Sequence, residues 1–118
     1  MTACIGESLE DAACREVAEE VGVDVGALRY AGHSQHWPFP HSSLMLPFFV
    51  VADMKQSIDL DRNELNDAGW FSRSQVADAI ENTNQRRFAA PDDGRKFWII
   101  PPAGTSAYQL ITHWLNSL

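Results

Sequence analysis

The segment "SLEDAACREVAEEVGV", residues 8–23, constrains this chain more than any other stretch. Alanines and glutamates run as far as Val21 and Gly22 follows, which predicts one helix with Ser8 as N-cap and a glycine stop. Asp11, three residues after Ser8, stands in for the glutamate of a capping box. At about 100° per residue, Glu16, Glu19 and Glu20 share one arc of this helix. Ala13, Cys14, Val17 and Val21 form a neighbouring apolar arc suited to packing on a sheet. Asp11, Arg15 and Glu19 follow at i,i+4 spacing, so Arg15 partly offsets the acidic row.

Carboxylates this close repel one another. They form either a solvated glutamate-rich face or a site for a hard divalent cation such as Mg²⁺ or Mn²⁺, which prefers oxygen ligands. A cation there would cancel the repulsion, bridge phosphate oxygens and lower the pKa of a bound water, with a nearby carboxylate as general base. The net charge of −7 argues against a general nucleic-acid binder, and an acidic protein handling phosphate compounds needs metal ions as intermediaries. Cys4 and Cys14 are too few for a disulfide framework or a four-cysteine zinc site and read as reduced thiols. His33, His36 and His41 cluster, but with no cysteine nearby and no regular ligand spacing no zinc is expected. No apolar run approaches the ~20 residues that span a bilayer, and residues 1–13 carry no signal- or transit-peptide pattern.

The 118 residues suffice for one domain, and 45% hydrophobic with 21% charged residues reads as globular. Residues 23–32 predict a strand weakened by Gly26. Residues 34–43, "SQHWPFPHSS", are expected to be irregular because of Pro38 and Pro40. Residues 44–54 predict a buried strand, with Pro47 marking an edge or bulge. An acidic loop (55–67), a short strand (68–72), a helix from about Ser74 and a loop (82–96) follow. "FWIIPP" leads into a last amphipathic helix with Ala107, Leu110, Ile111, Trp114 and Leu115 on one face. The order is an α/β or α+β pattern.

Glu7, seven residues, then "REVAEEVGV" resembles the Nudix box, G-x5-E-x7-R-E-U-x-E-E-x-G-U with U aliphatic. Glu7, Arg15, Glu16, Val17, Glu19, Glu20, Gly22 and Val23 match every specified position after the first. "SQHWPFPHS" resembles the S-Q-P-W-P-F-P-x-S motif of NADH pyrophosphatases, in the variant with His for the first Pro associated with the animal mitochondrial branch. On physical grounds the two prolines either hold Trp37 and Phe39 for stacking on a flat ring or form a turn that plugs the core with aromatics. "NELNDAGWF" and "FWIIPPAGTSAYQLI" are similar to the family's later segments, so the resemblance runs essentially to the C-terminus.

The resemblance implies a Nudix fold, an α/β/α sandwich with a mixed sheet. It implies Glu16, Glu19, Glu20 and Glu64 as ligands for Mg²⁺ or Mn²⁺, with Glu19, Glu64 and Arg15 as the catalytic group. Glu7 is expected to brace loop and helix. Gln35, Trp37, Pro38, Phe39, Pro40, His41, Ser42 and Ala107 are expected to contact the dinucleotide. The implied reaction is hydrolysis of NADH or NAD⁺ to AMP and a nicotinamide mononucleotide, typically in a homodimer, with a mitochondrial setting by resemblance and NAD-capped RNA as a possible substrate of some members. One position departs: the box glycine falls on Met1, and Thr2 stands where the branch carries an aromatic. The sequence therefore predicts residues 1–118 to be a Nudix domain beginning inside its own box, without its N-terminal strands. Its function is expected to be the hydrolysis itself, action on another nucleoside diphosphate derivative such as ADP-ribose, or, if impaired, a role only as a dimerisation partner.

Overall fold

The computed structural model describes residues 4–38, 42–63, 65 and 67–117, with Trp37 described by its backbone alone. The elements are α1 (Leu9–Val21), β1 (Val25–Tyr30), β2 (Gln35–Trp37), β3 (Ser43–Met45), β4 (Phe48–Ala52), α2 (Arg73–Asn84) and α3 (Ser106–Asn116). This is the mixed helix and strand content expected. The chain divides into two compact units, Met1–Arg29 with Phe48–Trp70 and Tyr30–Pro47 with Phe71–Leu118.

In the first unit α1 starts as the sequence predicts. The Ser8 hydroxyl accepts the Asp11 N–H at 3.1 Å, satisfying one of the donors a helix start leaves open. Gly22 ends the helix in the left-handed region, φ 67°, and its N–H bonds the Ala18 carbonyl at 3.0 Å. No side chain fits there: a Cβ on Gly22 would lie 2.8 Å from the Asp59 Cβ. On α1 the buried residue is Ala12, while the anticipated arc of Ala13, Cys14, Val17 and Val21 is half-buried. Val23, just past the stop, is 3% exposed.

β1 and β4 form a two-stranded sheet. The Gln56 amide clasps its entry, accepting the Asp24 N–H and donating to the Asp24 carbonyl, both at 2.9 Å. The stretch 44–54 is not the single buried strand predicted. It is two strands broken at Leu46–Pro47, because proline offers no N–H to a ladder. Val51 at 66% and Leu44 at 63% are exposed.

In the second unit β2 and β3 pair antiparallel, Gln35 opposite Met45, His36 opposite Leu44 and Trp37 opposite Ser43. The expectation of wholly irregular chain at 34–43 is thus corrected. Residues 35–37 precede both prolines and keep every N–H available for pairing. The strand expected at 68–72 does not form; Ser72 instead caps α2 in a capping box with Gln75, one residue before that helix begins at Arg73. The core here includes Val76, Ala79 and Ile100, with Ala79 fully buried. A buried hydroxyl joins it: Thr83 Oγ1 accepts the Ile100 N–H at 2.9 Å and lies within donor range of the Ala79 and Ile100 carbonyls. α3 is capped by the Thr105 hydroxyl, which accepts the Tyr108 N–H at 3.1 Å. α2 and α3 pack together. Arg73 lies over the Trp114 ring and donates to the Leu115 carbonyl, where a cation suits the negative end of a helix. Among the described residues no helix is long and apolar enough to cross a membrane.

Candidate functional site

Glu7 precedes the N-cap of α1, and Arg15 lies two turns along the helix, so a long side chain can bridge them. The guanidinium grips the carboxylate as a fork, Nε donating to Oε2 at 2.8 Å and Nη2 to Oε1 at 3.1 Å. Oε1 also accepts the Cys4 N–H at 3.0 Å, so Glu7 ties the entering loop to the helix. Arg15 Nη1 reaches Glu16 Oε1 at 3.1 Å and Glu19 Oε2 at 3.0 Å. One cation therefore gathers three carboxylates. Its hydrogen bonds to Glu7 first, and then Glu19, hold the Arg15 proton more firmly than usual. The Arg15 guanidinium, and after it the Cys4 N–H, hold the Glu7 carboxyl below the ordinary glutamate value.

Glu19 and Glu20 stand in the last turn of α1, which contains no basic residue, so the helix dipole opposes their charge. The carbonyls of that turn are occupied from the acidic loop. Asp59 N–H donates to the Val21 carbonyl at 2.8 Å and Asp61 N–H to the Glu20 carbonyl at 2.7 Å. The same Asp61 accepts the Leu65 N–H on its carbonyl at 3.0 Å and the Asn63 N–H on its carboxylate at 3.0 Å. The residues on both sides of position 64 are thereby tied to the Glu20 end of α1. Glu64 itself lies outside the described residues.

Among the described residues no three His, Cys, Asp or Glu side chains stand close enough to hold a metal ion. The expected donors match a hard divalent ion in element only, and in this structure Glu16 and Glu19 are turned to Arg15. Glu16 and Glu19 place carboxylate oxygens at 3.1 and 3.0 Å from one cationic nitrogen. All the expected donors are oxygens, which Mg²⁺ and Mn²⁺ prefer.

A second cluster belongs to the other unit. Gln35, opening β2, accepts the Ser106 N–H on Oε1 at 3.2 Å. Ala107, the next residue of α3, is half-buried, so the structure brings Gln35 to the turn that carries it. Ser42 sits at φ 55° with its hydroxyl 2.8 Å from His36 Nε2. Pro38 is exposed. The Trp37 side chain and all of Phe39, Pro40 and His41 lie outside the described residues. Asp59, Asp61 and Ser106 had not been singled out, and His33 had been weighed only as part of a histidine cluster. Asp59 and Asp61 reach α1 through backbone N–H groups, which carry no sequence signature. His33 and Ser106 meet at 2.9 Å across 73 positions, beyond any local pattern.

Compared with known proteins, residues 4–91 match the family described as NUDIX domain. The chain is 41% identical over 120 residues to "NAD-capped RNA hydrolase ndx-9" of Caenorhabditis elegans, covering 94% of this chain and 31% of that protein. It is 42% identical over 111 residues to human "NAD-capped RNA hydrolase NUDT12", covering 94% and 21%. Human "NAD(P)H pyrophosphatase NUDT13, mitochondrial" is 41% identical over 117 residues, covering 95% and 31%. The chain thus spans between 21% and 31% of the length of these relatives.

Proposed function

The chain belongs to the NUDIX domain family, and on that premise we propose that it hydrolyses the diphosphate linkage of an NAD-type dinucleotide, NADH or NAD⁺, to AMP and nicotinamide mononucleotide. The observation that carries this reading is the signature helix. Its arginine meets three carboxylates, and the loop leading to Glu64 is anchored to its last turn.

In this reading Glu16, Glu19, Glu20 and Glu64 would hold Mg²⁺ or Mn²⁺. The ion would supply charge neutralisation at the diphosphate and a more acidic water. A cation there would also offset the repulsion among the glutamates and the dipole penalty at Glu19 and Glu20. Arg15 holds Glu16 and Glu19 in place, and Glu7 fixes Arg15. Glu19 or Glu64 accepts the proton of the attacking water as its oxygen bonds to phosphorus and the bridging P–O bond breaks. Gln35, Trp37, Pro38, Phe39, Pro40, His41, Ser42 and Ala107 bind the dinucleotide. The names of the relatives support an NAD-type substrate, and two of them favour NAD-capped RNA as a second substrate of the same reaction. The name of a third supports a mitochondrial setting.

AMP release from NADH by the purified chain with Mn²⁺ tests the reading. Glu20→Gln is expected to lower turnover about a thousandfold or more, since several kcal/mol of charge stabilisation goes with the metal. Full turnover in that variant, or turnover indifferent to Mn²⁺ and Mg²⁺, would refute it. NADH, ADP-ribose and NAD-capped RNA compared side by side rank the substrates. A homodimer is part of the same reading, on the family resemblance. A folded dimer without turnover would instead support a role as a dimerisation partner alone.

A further inference from the structure

His33 lies just before the proline-rich motif and has no part in the reaction above, yet the structure makes it a fixture. Tyr30 Oη donates to its backbone carbonyl at 2.9 Å, which holds the main chain. Its imidazole Nε2 lies 2.9 Å from the hydroxyl of Ser106. Ser106 is only 6% exposed, so a hydroxyl left without a partner there would be costly. The same residue donates its backbone N–H to Gln35 Oε1 at 3.2 Å. Ser106 is the first residue of α3, where N–H groups have no partner within the helix. It therefore acts as a hub that joins the imidazole two residues before β2 to the amide that opens β2.

We propose that His33 is a positioning residue for dinucleotide binding: through the Ser106 hydroxyl it fixes the start of α3 against β2, and so sets where Gln35 and Ala107 stand relative to one another. Binding energy then depends on a side chain that does not touch the ligand, because an amide left to rotate must be ordered when the ligand arrives. This inference rests on the NAD-type reading for the identity of the ligand.

The test uses the full chain and NADH as the probe. Binding is read from NADH fluorescence in EDTA, so no turnover intervenes, and KM and kcat are then measured with Mn²⁺. His33→Ala is expected to raise the NADH dissociation constant and KM about five- to tenfold with kcat within about twofold, the span of one hydrogen bond. His33→Gln, whose amide can reach the same hydroxyl, is expected to recover binding to within about twofold of wild type. Ser106→Ala keeps the backbone N–H to Gln35 and removes only the imidazole contact. It should weaken binding as His33→Ala does, and the double variant should be no worse than either single one. If His33→Ala fails to fold, Ser106→Ala reads the same bond from the helix side. Wild-type affinity in His33→Ala or in Ser106→Ala, or His33→Gln as weak as alanine, would overturn the proposal, as would absence of NADH binding to the wild type. Wild-type binding without hydrolysis would sink the hydrolase reading and leave this one standing.

Discussion

In the first unit a guanidinium collects carboxylates near solvent; in the second, neutral hydroxyls and amides hold the corresponding residues from within a core. Glu16 and Glu19 keep 15% and 57% of their side-chain exposure around Arg15, whereas Thr83 and Ser106 are 5% and 6% exposed. Charges that keep contact with water, as Glu19 does most, are easy to screen, so they suit a site that must gather ions. Buried neutral hydrogen bonds add modest net stability, but each is costly to break. The first arrangement should therefore answer mainly to metal and pH, and the second mainly to the volume and polarity of single side chains.

Arg15→Ala probes the contrast hardest. It should raise the Mn²⁺ concentration for half-maximal turnover about 10- to 100-fold, as loss of a group that orients ligands does, with little change in the urea midpoint. Arg15→Lys should fall short of rescue, since an ammonium cannot make the two-pronged contact with Glu7. A large loss of stability with unchanged metal response would invert the assignment.

Thr83→Val tests the other side. It leaves the buried Ile100 N–H without its acceptor and should cost about 1–3 kcal/mol in urea unfolding, with the metal requirement untouched. A neutral result would mean that the hydroxyl network contributes nothing to the core.

The smallest effect is expected from acid. Arg15 and the Cys4 N–H hold Glu7 below the ordinary value of 4.5, so the folded chain binds its proton less readily than the unfolded chain. The stabilisation is complete above the ordinary value and is lost as pH falls below it through the lowered one. Urea midpoints followed through that window should decline in wild type and decline less in Glu7→Gln. Identical profiles would remove Glu7 from the account.

How much of this was legible in the sequence depended on distance along the chain. Ser8, Gly22 and the run between them announced α1 because caps and stops are local chemistry. The Arg15–Glu19 contact followed from helical spacing, and the apolar stripe of α3 from its period. β2 escaped because Pro38 and Pro40 dominate the composition of a stretch whose first residues they do not affect. "AGWFS" reads as a strand by propensity, yet Ser72 at its end is taken by α2 as a cap. The acidic loop could be recognised as polar, but its docking on Val21 and Glu20 runs through main-chain groups common to every residue. The meeting of His33 with Ser106 is a product of folding, and nothing near either residue foretells it.

That docking has a dynamic corollary. A helix terminus normally frays first, and here the final carbonyls of α1 are held by amides from a loop nearly forty positions downstream. Opening of the terminal turn and release of the loop should then be one event, with the Asp59 and Asp61 amides exchanging with deuterium at a shared rate set by the helix.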